Sequence, residues 1–89
     1  MKIKPEYSLS YDLDLIYIER TLPDGTKQDV CPISETAAMA WEGFAEGIDR
    51  QRLIQDIINE FSGADETQVA AELDMLAQQL IALGYAEED

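Results

Sequence analysis

The spacing of apolar residues changes once along this chain, at Ile33-Ser34, and that change sets what the chain can fold into. Before it the residues read as strands; after it they recur at three and four, as on helices. Ser34 can accept a hydrogen bond from an amide of the first turn, and Glu35 places a carboxylate at the positive end of the new helix, so a helix is expected to start here. Ile33, just outside the cap, can pack on the first turn and fix the angle at which the strand arrives. Ala37, Ala38 and Ala40 let this helix lie close to its neighbours, while Trp41 and Phe44 supply bulk.

Upstream, Tyr7, Leu9, Tyr11 and Leu13 recur at every second residue with Ser8, Ser10 and Asp12 between them, the period of a strand with one buried face. Asp12-Leu13-Asp14 can make a tight connection to Leu15-Ile16-Tyr17-Ile18-Glu19-Arg20, whose β-branched and aromatic run predicts a central strand. Pro23-Asp24-Gly25 supplies a turn: proline sets its own φ, aspartate caps locally, and glycine takes the positive φ that lets two strands meet. Thr26 to Cys31 is then a third strand, polar and short like an edge strand, and stopped by Pro32, which cannot donate to a ladder.

Gly47 is placed to end the first helix in a left-handed turn, and Asp49 to cap a second, whose Leu53, Ile54, Ile57, Ile58 and Phe61 share one face. That helix ends near Gly63. Asp65 caps a third, with Gln68 three residues on able to reach back in a capping box. Val69, Leu73, Leu76, Leu80 and Leu83 form its main stripe. If all are well buried, at ~1.5–3 kcal/mol apiece, the helix contributes on the order of 10 kcal/mol of gross apolar burial. Gly84 ends it, and Ala86-Glu87-Glu88-Asp89 is expected to fray, because acids are unfavourable beside the negative end of a helix.

The order of elements predicts an α+β fold, a three-stranded antiparallel sheet followed by three helices, similar to a winged helix-turn-helix. Charge decides what such a fold is for. Nineteen acids against six bases leave a formal net charge of −13, which argues against a phosphate-binding surface. From Asp65 to Asp89, which holds the helix that would enter a DNA groove, there is no Lys or Arg, so nucleic acid is not an expected partner. The acidity suits solubility or a basic partner. One cysteine and no histidine rule out an internal disulfide and argue against a zinc site. The N-terminus has no long apolar run, so no membrane association and a cytoplasmic setting are expected. The length suits a single domain over residues 1–89.

An apolar residue, a small capping residue and Glu35-Thr36-Ala37, followed four residues after the alanine by Trp41-Glu42, resemble the PqqD-like family, small proteins named for pyrroloquinoline quinone biosynthesis. The resemblance runs from about Lys2 to Tyr85 and takes in Lys4-Pro5, the two strand-like runs before the helix, and the final Leu83-Gly84-Tyr85. It implies the same winged-helix fold and a peptide-recognition role: holding the leader of a ribosomally made precursor peptide for a modifying enzyme, often a radical SAM enzyme. Ser34 stands where Asn is usual in the family, a mild change of cap. Ala40 and Gly43 stand where larger aliphatics are usual, which leaves open how tightly the first helix fills its side of the core.

No catalytic residue, metal ligand or cofactor site is expected, for want of any nucleophile paired with a base. Cys31 has no histidine to activate it and reads as a small apolar filler, and Trp41, beside Met39 and Phe44, as a core anchor. The pairs Asp12 with Asp14 and Glu87 with Glu88 read as solvated surface. The third helix is wider in its apolar surface than one buried face requires, because Ala70, Ala77 and Ile81 extend the stripe on one side, while Glu72, Met75 and Gln79 on the other are mixed. Either the small residues let another helix pack closely, or they wall a groove. The expected peptide site therefore combines the strand edge at Lys27, Gln28, Asp29, Val30 and Cys31 with Ala70, Leu73, Ala77 and Ile81 of the helix. The alternative is an acidic regulatory or assembly subunit that binds a basic protein.

Overall fold

Two tight turns lay out the main sheet in the computed structural model, which describes residues 1–61 and 63–88. The elements run β1 (Lys2–Ile3), β2 (Tyr7–Asp12), β3 (Leu15–Thr21), β4 (Lys27–Ile33), α1 (Glu35–Glu46), α2 (Arg50–Glu60), α3 (Glu66–Ala82) and β5 (Ala86–Glu87). β2, β3 and β4 pair antiparallel in that order, with β3 central as its composition predicts. Leu13 and Asp14 form the first turn between the paired Asp12 and Leu15. In the second, the Asp24 carboxylate accepts from both the amide (3.0 Å) and the hydroxyl (2.6 Å) of Thr26, while Gly25 takes φ 88°. β4 does not stop at Pro32 as the missing N–H suggests; it continues to Ile33, with Pro32 opposite Tyr17.

Capping residues set the helix starts. Ser34 accepts from Ala37 N–H at 3.1 Å, Asp49 from Arg52 N–H at 3.3 Å and Asp65 from Gln68 N–H at 3.0 Å. The Gln68 side chain does not reach back to complete a capping box. It donates forward to Glu72 at 3.3 Å, one turn along the helix. Gly47, at φ 74°, ends α1 by donating to the carbonyls of Gly43 and Phe44. The result is the α+β, winged-helix-like arrangement expected from the order of elements.

The core has two parts. Ala40, Leu53, Ile54, Ile57, Val69 and Leu73 join the three helices, and Ile18, Trp41, Leu80 and Ala86 join the helices to both sheets. Phe44 and Leu76 pack against both parts. Trp41 is a core anchor, with the Tyr85 ring 6.2 Å away and Tyr7 meeting Tyr85 edge-on at 4.9 Å. Leu83 leaves the expected stripe. It is 68% exposed, because it caps the helix and lies at the edge of a stripe that advances 100° per residue. With Val69, Leu73 and Leu80 alone fully buried, α3 contributes about 5–9 kcal/mol of gross apolar burial.

The C-terminus does not fray at Ala86 and Glu87. Gly84, at φ 86°, turns the chain back, with Tyr85 N–H donating to Leu80 O at 2.9 Å. β5 then pairs with β1, Lys2 opposite Glu87 and Ile3 opposite Ala86. Burial of Ala86 and the backbone pairing of β5 with β1 outweigh a repulsion from the helix end that water weakens. Asp89, the last of the acidic run, lies outside the described residues.

Close approach of α1 to α2 accounts for the glycine at position 43. A Cβ placed on Gly43 would lie 2.5 Å from Leu53 Cδ1 and 2.8 Å from Cδ2, so Leu53 fills the space that a larger residue would take. Gly43→Ala is expected to destabilise the fold by about 2 kcal/mol in urea melts: overpacking at the upper end of ~1–3 kcal/mol, less the ~1 kcal/mol alanine gains in helix propensity. A stabilised variant would mean that Leu53 moves aside freely.

Candidate functional site

Two hydrogen bonds at the base of the β3–β4 hairpin fix which backbone groups of β4 face outward. Thr21 N–H donates away from β4, to Glu6 O at 2.8 Å, whereas Leu22 N–H donates to Thr26 O at 2.8 Å. Successive residues of a central strand bond to opposite neighbours, so Arg20, Ile18 and Ile16 face β4 and their partners Gln28, Cys31 and Ile33 are bonded inward. Lys27, Asp29 and Pro32, opposite Thr21, Glu19 and Tyr17, turn their backbone groups to the free side. Pro32 is tolerated because the N–H it lacks belongs to that side. The register shift between Ile18 and Glu19 makes Val30 the extra residue of a bulge, which increases the local twist. Among the described residues no strand pairs with this edge. It therefore offers N–H groups at Lys27 and Asp29, and carbonyls at Lys27, Asp29 and Pro32.

Where β4 runs into α1, a cleft of about 160 Å³ opens between the two helices α1 and α3. Ser34, Thr36 and Ala37 form one wall, Glu72 and Leu76 the other, and the buried Val69 and Leu73 lie at its base. Its lining is apolar apart from two hydroxyls and the Glu72 carboxylate.

The nine residues expected to form the site are not all brought together. Lys27, Gln28, Asp29 and Val30 are exposed on β4. Cys31 is half-buried, its thiol 3.9 Å from the Tyr85 hydroxyl, whose pKa is raised chiefly by burial and further by this contact. Leu73 is only 4% exposed and belongs to the helical core. Ala70 packs on that same core, and Ala77 lines a separate depression with Met1, Phe44 and Ile48, near the Arg50–Asp74 ion pair of 2.8 Å. Ile81 and Cys31 pack on the sheet-side core. The small-residue flank of α3 thus faces α2 and the N-terminus, and the mixed flank carrying Glu72 faces the cleft. The exposed Met75 shares that mixed flank by helical spacing.

Reasoning from sequence missed Ser34, Thr36, Ala37, Glu72 and Leu76. Their signal was present in part, since Met75 interrupts an otherwise polar flank, but polarity argued against a groove wall there. Among the described residues no group of His, Cys, Asp or Glu is gathered to hold a metal ion, and no helix is long and apolar enough to cross a membrane.

No family model and no curated protein matches this chain. Among solved structures it is similar to TbiB1, solved in complex with the TbiA(beta) leader peptide: the TM-score is 0.75 at 19% identity, over 100% of this chain and 98% of that one. The likeness extends from the first strand to the last, so this chain shares the fold of that leader-peptide complex's protein component.

Proposed function

We propose that this chain is a non-catalytic recognition domain that holds the leader of a ribosomally made precursor peptide as an added strand on β4 and presents it to a modifying enzyme. The observation that carries this reading is the free edge of β4, which offers outward amides at Lys27 and Asp29 and leads at its far end into a small apolar cleft between α1 and α3. Backbone pairing supplies affinity in such capture, and pockets for alternate side chains supply specificity. The fold shared with TbiB1, a protein solved with a leader peptide on it, supports the same use here. The PqqD-like pattern of Glu35-Thr36-Ala37 with Trp41-Glu42 supports it independently, and makes a radical SAM enzyme a natural second partner.

Hydrogen exchange tests this reading directly. Adding a leader peptide from a candidate precursor is expected to slow exchange of the Lys27 and Asp29 amides, the two that the fold leaves open, by about tenfold or more. The inward amides of Gln28 and Cys31 are bonded already and should change less. A peptide that binds without protecting Lys27 or Asp29 would place the site elsewhere.

A further inference from the structure

On the other side of α1 lies a larger groove, of about 600 Å³, that shares no lining residue with the cleft beside β4. The β2–β3 turn forms its outer wall, and Ala38, Met39 and Phe61 supply apolar surface within it. The turn is unusual in its choice of residue. Leu13 is 99% exposed and sits at φ 56°, where Gly, Asn or Asp is ordinarily found. Leu15 and Tyr11 beside it are also more than half exposed. An apolar side chain held out at a position that favours small polar residues is placed for contact, since neither the turn nor the core uses it.

Charge selects the occupant. Asp14, Glu35, Glu42 and Glu60 line the same groove, with no Lys or Arg among its described lining residues. Glu42 is held in place by the Tyr11 hydroxyl, which donates to it, and this bond is the main cause of a Tyr11 pKa pushed up to about 12. A second copy of this chain, at −13, would bring the wrong charge, as would nucleic acid or an anionic membrane. We propose that this groove is a second docking face, taking a cationic segment of a partner protein whose Lys or Arg residues meet the carboxylates while an apolar side chain packs against Leu13. Basic side chains beside an apolar anchor match a rim of acids around an apolar floor. The proposal stands whether or not β4 binds a peptide, because the two sites have no residue in common.

The test uses a synthetic peptide alternating lysine with leucine and a control alternating lysine with serine, each titrated into isotope-labelled protein and followed by NMR. Shifts are expected around the turn and along residues 35–42, with affinity for the lysine–serine peptide about tenfold weaker or less measurable still. Leu13→Asn suits the left-handed turn, so its melting temperature should match or exceed the parent's while binding falls about tenfold. Paired Glu42→Gln and Glu60→Gln changes should give a similar loss, and binding should weaken at high salt. Asp29→Pro, which acts on the β4 edge, should bind the lysine–leucine peptide as the parent does. Equal affinity for both peptides, no effect of Leu13→Asn, or shifts confined to β4 would overturn the proposal. So would a dimer in sedimentation that Leu13→Asn dissolves, since it would make a second copy the occupant.

Discussion

Truncating Leu73 to alanine is expected to cost about 2–5 kcal/mol of stability, the range for a buried leucine whose site cannot close. Leu73 belongs to the helical core with Ala40, Leu53, Ile54, Ile57 and Val69, a cluster drawn from all three helices, so its loss opens the core where they meet. For a domain of this size that is a large share of the whole, since ~0.05–0.15 kcal/mol per residue is typical. Urea melts should show a lower midpoint with little change in slope. A loss under about 1 kcal/mol would mean that α3 is not held by this face. Peptide binding measured on the folded fraction separates a structural role from a direct one: a core residue at the base of the cleft should change stability more than affinity.

The second large effect is expected at the edge of β4, where two neighbouring prolines should have opposite consequences. Asp29 turns its N–H outward, so Asp29→Pro removes a donor that the fold does not use. Its melting temperature should stay within a few degrees of the parent's, equivalent to about 1 kcal/mol, while affinity for a leader peptide falls about tenfold or more. Asp29→Ala keeps the N–H and should bind as the parent does, which isolates the amide from the carboxylate. Gln28 is bonded inward, opposite Arg20, so Gln28→Pro breaks the hairpin and should lower the melting temperature sharply. Calorimetric titration of the folded variants decides the matter. An Asp29→Pro protein that binds as tightly as the parent would remove strand addition from consideration and leave the acidic groove as the better site.

Much of this fold was legible because it rests on short-range chemistry. The caps at Ser34, Asp49 and Asp65, the turn at Pro23-Asp24-Gly25 and the left-handed ends at Gly47 and Gly84 each involve groups a few residues apart, and each forms as the residues suggest. The period of the apolar residues placed the three strands of the main sheet before three helices, and the polar, short third strand was expected on an edge, where β4 lies. Gly43 shows where such reasoning halts. A small residue at a helix position can mean a poorly filled core or a close neighbour, and only the position of Leu53 distinguishes them.

The candidate site lies mostly beyond that limit. Periodicity gives α3 an apolar stripe, but two flanks adjoin any stripe, and which of them meets α1 depends on how the helix is rotated in the assembled core. The structure turns Ala70 and Ala77 inward toward the other helices and Glu72 toward the cleft. Likewise, sequence shows that amides alternate along β4 but not whether Gln28 or Asp29 faces out. That parity is set by the hairpin hydrogen bond between Leu22 and Thr26, and the bulge at Val30 resets it for the residues beyond. The β1–β5 pair joins residues at the two ends of the chain, each strand two residues long, too short to carry a period. Local propensity therefore determined the elements and their order, whereas tertiary packing decided rotation, register and long-range pairing, because those depend on contacts between residues far apart along the chain.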